Sequence, residues 1–157
     1  IRKFGNRWVL FYVAGKSWLD IAENPEPGYK IRSAEYNDGI HWIKNNRDLI
    51  PDKLDDEECQ ACPDVTFRDG QYHMFFSYRN SLNYKSKEFG YRIGYASSTD
   101  LLNWTRNDDA AGMATSESGW DSEMVSYPHV FSAGNATYLA YQGNGMGQAG
   151  IGPSHEF

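Results

Sequence analysis

Residues 90–104, GYRIGYASSTDLLNW, have a counterpart sixty-two positions upstream at 28–42, GYKIRSAEYNDGIHW. Each stretch begins Gly-Tyr, alternates through a strand, reaches an Asp (Asp100, Asp38) and ends on a Trp four residues later (Trp104, Trp42). Repetition at this spacing means repeated supersecondary units, and it constrains the architecture before any local pattern does. A second phrase follows the same rhythm: WVLFYV from Trp8, YHMFFS from Tyr72 and YLAYQG from Tyr138 start 64 and 66 residues apart. The last two are each preceded by a strand opened near a proline, CPDVTFRDGQ at 62–71 and YPHVFSAGNA at 127–136. Within these, Arg68-Asp69-Gly70 and Ala133-Gly134-Asn135 carry the residues of tight hairpin turns.

One unit therefore reads strand, Gly turn, aromatic strand, loop, alternating strand, Asp turn, Trp strand. Four antiparallel strands in a meander, repeated, predict an all-β chain of propeller blades. A β-sandwich is the competing architecture, but it does not require the Trp turn to recur strand for strand. The units fall at about 3–44, 62–106 and 127–152, a single (half-)domain of about two and a half blades across 1–157, with polar linkers at 45–61 and 107–126. On this reading the first unit opens on its second strand. Trp42 and Trp104 cover the seam against the next sheet, and NNRDLIPDKLDDEE (45–58) holds at most one helical turn near Pro51. Exposed blade edges associate readily. If 157 residues are the whole product, two copies each supplying half of a five-bladed ring are expected to form a homodimer.

Fifteen Lys+Arg against twenty-one Asp+Glu give a net charge of −6, the wrong sign for a binder of nucleic-acid backbones. No apolar run is long enough to span a bilayer as a helix. The first residue is Ile, and the compartment is left open, with a soluble, cytoplasmic protein favoured. Cys59 and Cys62 form one C-x-x-C, whereas a structural zinc site needs four ligands; His41, His73, His129 and His155 are scattered, so the pair reads as two small thiols. GNGMGQAG (143–150) lacks the Lys-Ser/Thr of a phosphate loop, and its glycines read as close approach of backbone to the axis. The acidic runs LDDEE and NDDA lack EF-hand spacing. No cofactor is expected.

YRIGYASSTDLLNW, GWDSEMVSYPHVF (119–131) and GNGMGQAGIG (143–152) resemble uncharacterised five-bladed propeller proteins related to glycoside hydrolases and linked to polysaccharide gene clusters. The wider clan of families 32, 43, 62, 68 and 130 is similar in blade grammar, and the resemblance covers about residues 29–152. It implies a site where the inner strands begin, built from carboxylates held in different protonation states, with a glycan as ligand. Carried onto this sequence, Glu58 and Glu123 each lie five residues before a blade proline (Pro63, Pro128), Asp64 follows its proline directly, and His129 takes that place in the next blade. Glu123 is the candidate proton donor, with Asp64 or Glu58 as the second carboxylate. Arg79, Asp121, His129 and Asn144 are candidate substrate-binding groups, and Tyr127, Trp18 or Trp120 candidate stacking rings. The chain departs from families 43 and 32, which carry Asp-Pro and a Glu two before a proline; here Pro-Asp stands at 63–64. Three readings follow: a glycosidase-like enzyme, a glycan-binding or assembly module without chemistry, or an inactive part of a larger propeller.

Overall fold

A computed structural model of the protein describes residues 1–19, 25–36, 38, 40–54 and 58–154. Gly39, most of the 55–58 acidic run and His155 of the C-terminal PSHEF lie outside the described residues. The strands are β1 (Arg2–Phe4), β2 (Arg7–Leu19), β3 (Glu26–Tyr36), β4 (Ile43–Lys44), β5 (Cys59–Arg68), β6 (Gln71–Arg79), β7 (Arg92–Ser98), β8 (Thr105–Arg106), β9 (Ser126–Ala133), β10 (Ala136–Gln142) and β11 (Ile151–Ser154). They form three antiparallel meanders in chain order: β1-β2-β3-β4, β5-β6-β7-β8 and β9-β10-β11. Among the described residues no helix is long and apolar enough to cross a membrane.

The first sheet corrects one expectation. It opens on its own inner strand, because Arg2–Phe4 turns at Gly5 (φ 59°) and pairs back onto Arg7–Val9. The tight turn at Asp69-Gly70 (φ 51° and 80°) makes the equivalent hairpin between β5 and β6. Residues 45–50 do not form a helical turn. They run beside β3, with Asn45 N donating to Ser33 O (3.1 Å) and Leu49 N to Ile31 O (2.9 Å), while Leu49 and Ile50 enter the core. The helical turn lies instead at Asp108–Ala111, a short 3-10 segment.

The second sheet is the middle layer. Met74, Phe76 and Tyr78 pack with Val9, Ile31 and Trp104 towards the first sheet. Phe75 packs with Ile93, Val125 and Leu139 towards the third. A strand covered on both faces loses the alternation of a half-exposed one, which is why YHMFFSY reads as almost continuous apolar sequence. Gly94 is required here: a Cβ would meet the Phe76 ring at 2.5 Å. Trp104 does seal the seam, 8% exposed and edge-on to Phe11. Trp42 does not. It packs on Tyr36, itself stacked on Trp8 at 5.7 Å, and Trp8 lies on the face opposite the buried Val9.

Candidate functional site

The inner strands β5 and β9 carry the same irregularity at the same place. In β5 the ladder passes from Ala61↔Ser77 to Asp64↔Phe75, and in β9 from Ser126↔Gln142 to His129↔Ala140, so each strand holds one extra residue. The extra residues include Pro63 and Pro128, whose missing N–H is harmless in a bulge. The residue before each proline adopts a left-handed backbone, Cys62 at φ 49° and Tyr127 at φ 53°. That conformation costs a non-glycine residue about 1–2 kcal/mol. Paying it twice, in register, re-aims the next side chain in both strands.

Those next side chains are Asp64 and His129, and they meet. His129 Nδ1 stands 2.8 Å from Asp64 Oδ2, which also accepts from Val130 N at 2.8 Å. The other carboxylate oxygen accepts from the Arg2 guanidinium, whose Nε donates to Val65 O at 3.3 Å. One carboxylate, 7% exposed, thus ties together β1, β5 and β9, the first strand of every sheet. The side chain of His129 is 63% exposed. With Nδ1–H donated to the carboxylate, Nε2 is left outward, able to accept from a hydroxyl when the ring is neutral and to donate when it is charged. Arg2, Cys62, Asp64 and His129 line a cavity of about 270 Å³ together with Phe11 and the two prolines.

The other expected site residues lie elsewhere. Glu58 is 1% exposed, with Oε1 accepting from Arg106 Nη1 (2.6 Å) and Gln60 Nε2 (2.9 Å), and Oε2 accepting from the backbone N–H groups of Lys53 and Leu54. It fastens the link between the first two sheets. Glu123, its register mate, is exposed; its N–H donates to Asn144 Oδ1 (2.7 Å) and its carbonyl accepts from Arg92 (3.0 Å). The structure does not bring these two carboxylates into the Asp64 cavity. Asp121 is buried and accepts from the Tyr141 hydroxyl at 2.7 Å; burial and that bond push the Tyr141 phenol up to about 12. Asn144 clamps the 119–124 loop through Glu123 N, Met124 N and Gly119 O. Trp18 is 73% exposed near the end of β2. Trp120 is held at 5.1 Å on Tyr141, and Gly143, Gly150 and Gly152 each lie so close to its indole that a Cβ would crowd it. The glycine run therefore seats Trp120.

Arg79 and Tyr127 belong to a cluster beside the cavity. Arg79, 3% exposed, donates from Nε to the hydroxyls of Tyr29 (3.1 Å) and Tyr91 (3.2 Å), and Tyr84 lies against its guanidinium at 3.8 Å. The Tyr127 ring stands 5.7 Å from Tyr91, and burial and its phenol neighbour push Tyr127 up to about 12. Tyr29 and Tyr91 are the tyrosines of the two Gly-Tyr phrases, so the repeat that marked them in the sequence is also what makes them face each other. Tyr84 carries no such signal. Among the described residues Cys59 and Cys62 are free thiols, and no cluster of three or more His, Cys, Asp or Glu could hold a metal.

The chain has the propeller-blade fold of the glycoside hydrolases on which it superposes. The chain superposes on a protein solved as a glycoside hydrolase with a TM-score of 0.66, at 20% identity, over 93% of this chain and 40% of that one. It also superposes on the family 32 β-fructofuranosidase of Bombyx mori, solved as a mutant with sucrose, with a TM-score of 0.63, at 20% identity, over 90% of this chain and 28% of that one. In sequence it is 32% identical over 149 residues to an uncharacterized protein found in two strains of Mycobacterium tuberculosis. That match covers 94% of this chain and 46% of the relative, so the chain spans about half the length of the curated relatives it matches. No protein-family model matches.

Proposed function

We propose that this chain binds a glycan at the cavity where its inner strands begin, with Asp64 and His129 as the polar centre. The observation that carries the reading is their contact. Two residues from matching positions on neighbouring sheets meet at 2.8 Å beside a cavity of about 270 Å³. Ligand pockets begin at roughly 300 Å³, so the cavity suits one sugar unit rather than a long chain. The likeness to glycoside-hydrolase-fold structures supports a carbohydrate as the ligand class.

Binding fits the geometry better than hydrolysis does. Cleaving a glycosidic bond uses two carboxyl groups facing each other. Among the described residues lining this cavity Asp64 is the one acid, and both its oxygens already accept from Arg2, His129 or Val130. The hydrolytic reading keeps one support, the exposed Glu123 carboxylate at the matching register. A glycan array followed by an aryl-glycoside screen separates the two. Binding that weakens in His129→Ala, with no turnover sensitive to Glu123→Gln, is the expected result. Turnover abolished by Glu123→Gln establishes the enzyme, and absence of binding to any glycan overturns both.

If these 157 residues are the whole product, the assembly proposed with this function is a homodimer. Trp8, Tyr36 and Trp42 on the first sheet, and Phe131 stacked on Tyr138 at 5.6 Å on the third, stand outside both core clusters. A second copy would cover them.

A further inference from the structure

We propose that the Arg79 cluster is a subsite for the anionic group, carboxylate or phosphate, of an acidic sugar; the inference rests on the glycan-binding reading and narrows its ligand. A buried guanidinium is normally matched by a carboxylate, because an unpaired buried charge is costly. Arg79 is 3% exposed and forms no ion pair among the described residues. Its contacts are phenols and two carbonyls: Nε donates to Tyr29 and Tyr91, and Nη1 to Asn80 O (2.9 Å) and Ser81 O (3.0 Å). Among the described residues no acceptor meets Nη2.

The phenols add a further donor. Tyr29 Oη and Tyr91 Oη lie 3.1 Å apart, so one of their two protons lies between them and the other is left to donate. The half-exposed Tyr127 ring stands 5.7 Å from Tyr91 and adds a third phenol to the group. The unmatched Nη2 of a fixed positive charge, with phenol hydroxyls beside it, suits the oxygens of a carboxylate or phosphate. The Tyr84 ring, 3.8 Å from the guanidinium carbon, holds the fork in plane.

Further cations stand near the cluster, although the chain carries −6 overall and Glu88 and Glu123 are exposed on the same segments. Arg92, next to Tyr91, donates to the carbonyls of Lys87, Gly90, Tyr91 and Glu123 and to no described carboxylate. Lys85 stands 5.7 Å from the Tyr84 ring. Tyr29, Tyr84 and Tyr127 are half-exposed around the buried Arg79, so the guanidinium is ringed by phenols that themselves reach the surface.

The test is calorimetric titration of the intact chain with D-glucuronate, D-galacturonate, glucose 6-phosphate and neutral D-glucose. The anionic sugars are expected to bind at least tenfold tighter than glucose. Arg79→Lys, which keeps the charge and loses the fork, should cut that preference about tenfold while His129→Ala weakens every sugar alike. If Arg79→Lys does not fold, Tyr127→Phe removes a half-exposed hydroxyl beside the cluster and should lower the same preference. Preference for phosphate over the uronates supports the subsite and assigns it to phosphorylated sugars. Equal binding of glucose and the anions, with His129→Ala still damaging, overturns this inference alone. No sugar binding at all overturns the glycan reading with it.

Discussion

The hydroxyls of Tyr29 and Tyr91 stand 3.1 Å apart, one from each copy of the repeated Gly-Tyr phrase, and share the Nε–H of Arg79. A sequence repeat thus becomes a contact between the first two sheets. Changing either tyrosine to Phe should cost about 1 kcal/mol, the usual net worth of one hydrogen bond. The double variant should cost less than the sum, since the second change removes a partner already lost. Urea denaturation of the two single variants and the double variant measures this directly.

Glu58 and Glu123 share a register and should part company in stability. Glu58→Ala leaves Arg106 buried without one of its carboxylates and is expected to destabilise by about 3–5 kcal/mol. Glu123→Gln changes an exposed carboxylate and should stay within about 0.5 kcal/mol. Thermal or chemical unfolding of both variants decides which of the pair is structural.

Gly94→Ala tests the middle layer. The added methyl would meet the Phe76 ring, which is fully buried between the first two sheets. Overpacking of this kind costs about 1–3 kcal/mol, and the loss should appear as a lower denaturation midpoint with an unchanged slope.

Alkaline pH should loosen the fold. Burial, first of all, then the neighbouring phenol, raises Tyr127 to about 12, and burial with Asp121 raises Tyr141 to about 12. In the unfolded chain these phenols ionise near ~10. Between the two values the unfolded state binds fewer protons than the folded one, so stability falls as pH rises through that window. Denaturation midpoints should be flat below pH ~9 and decline from about 10 to 12, less steeply in Tyr127→Phe. A flat profile would mean that these phenols are solvated.

The paired outer faces predict self-association. Light scattering at micromolar concentration should report a mass near twice 17.9 kDa, and a charged substitution at Phe131 should return it to the single-chain value. A well-folded monomer at every concentration contradicts the dimer.

What was legible in the sequence was whatever repeats. Three meanders, their hairpin turns and the matching Asp64 and His129 positions all follow from phrases that recur at 62–66 residues. Features made by a partner far along the chain were hidden. β1 is three residues, Arg-Lys-Phe, without a pattern of their own, and it is a strand only because β2 pairs with it. Register placed Glu58 beside Glu123 on paper, but Arg106, 48 residues later, draws one carboxylate into the interior. Trp42 and Trp104 occupy the same word of the repeat yet face different surroundings, because only Trp104 has a sheet to cover. Arg2 gave no sign of site membership before its guanidinium was seen on Asp64.

Calorimetric titration of a glycan selected on an array, against the wild-type chain, His129→Ala and Asp64→Asn, bears most directly on the convergence of the inner strands upon one sugar-binding cavity. Affinity should fall about tenfold or more in His129→Ala with its fold intact, and at least as far in Asp64→Asn, which frees Arg2 and His129 together. Unchanged affinity in the folded His129→Ala variant would place the glycan elsewhere on the protein and contradict the account.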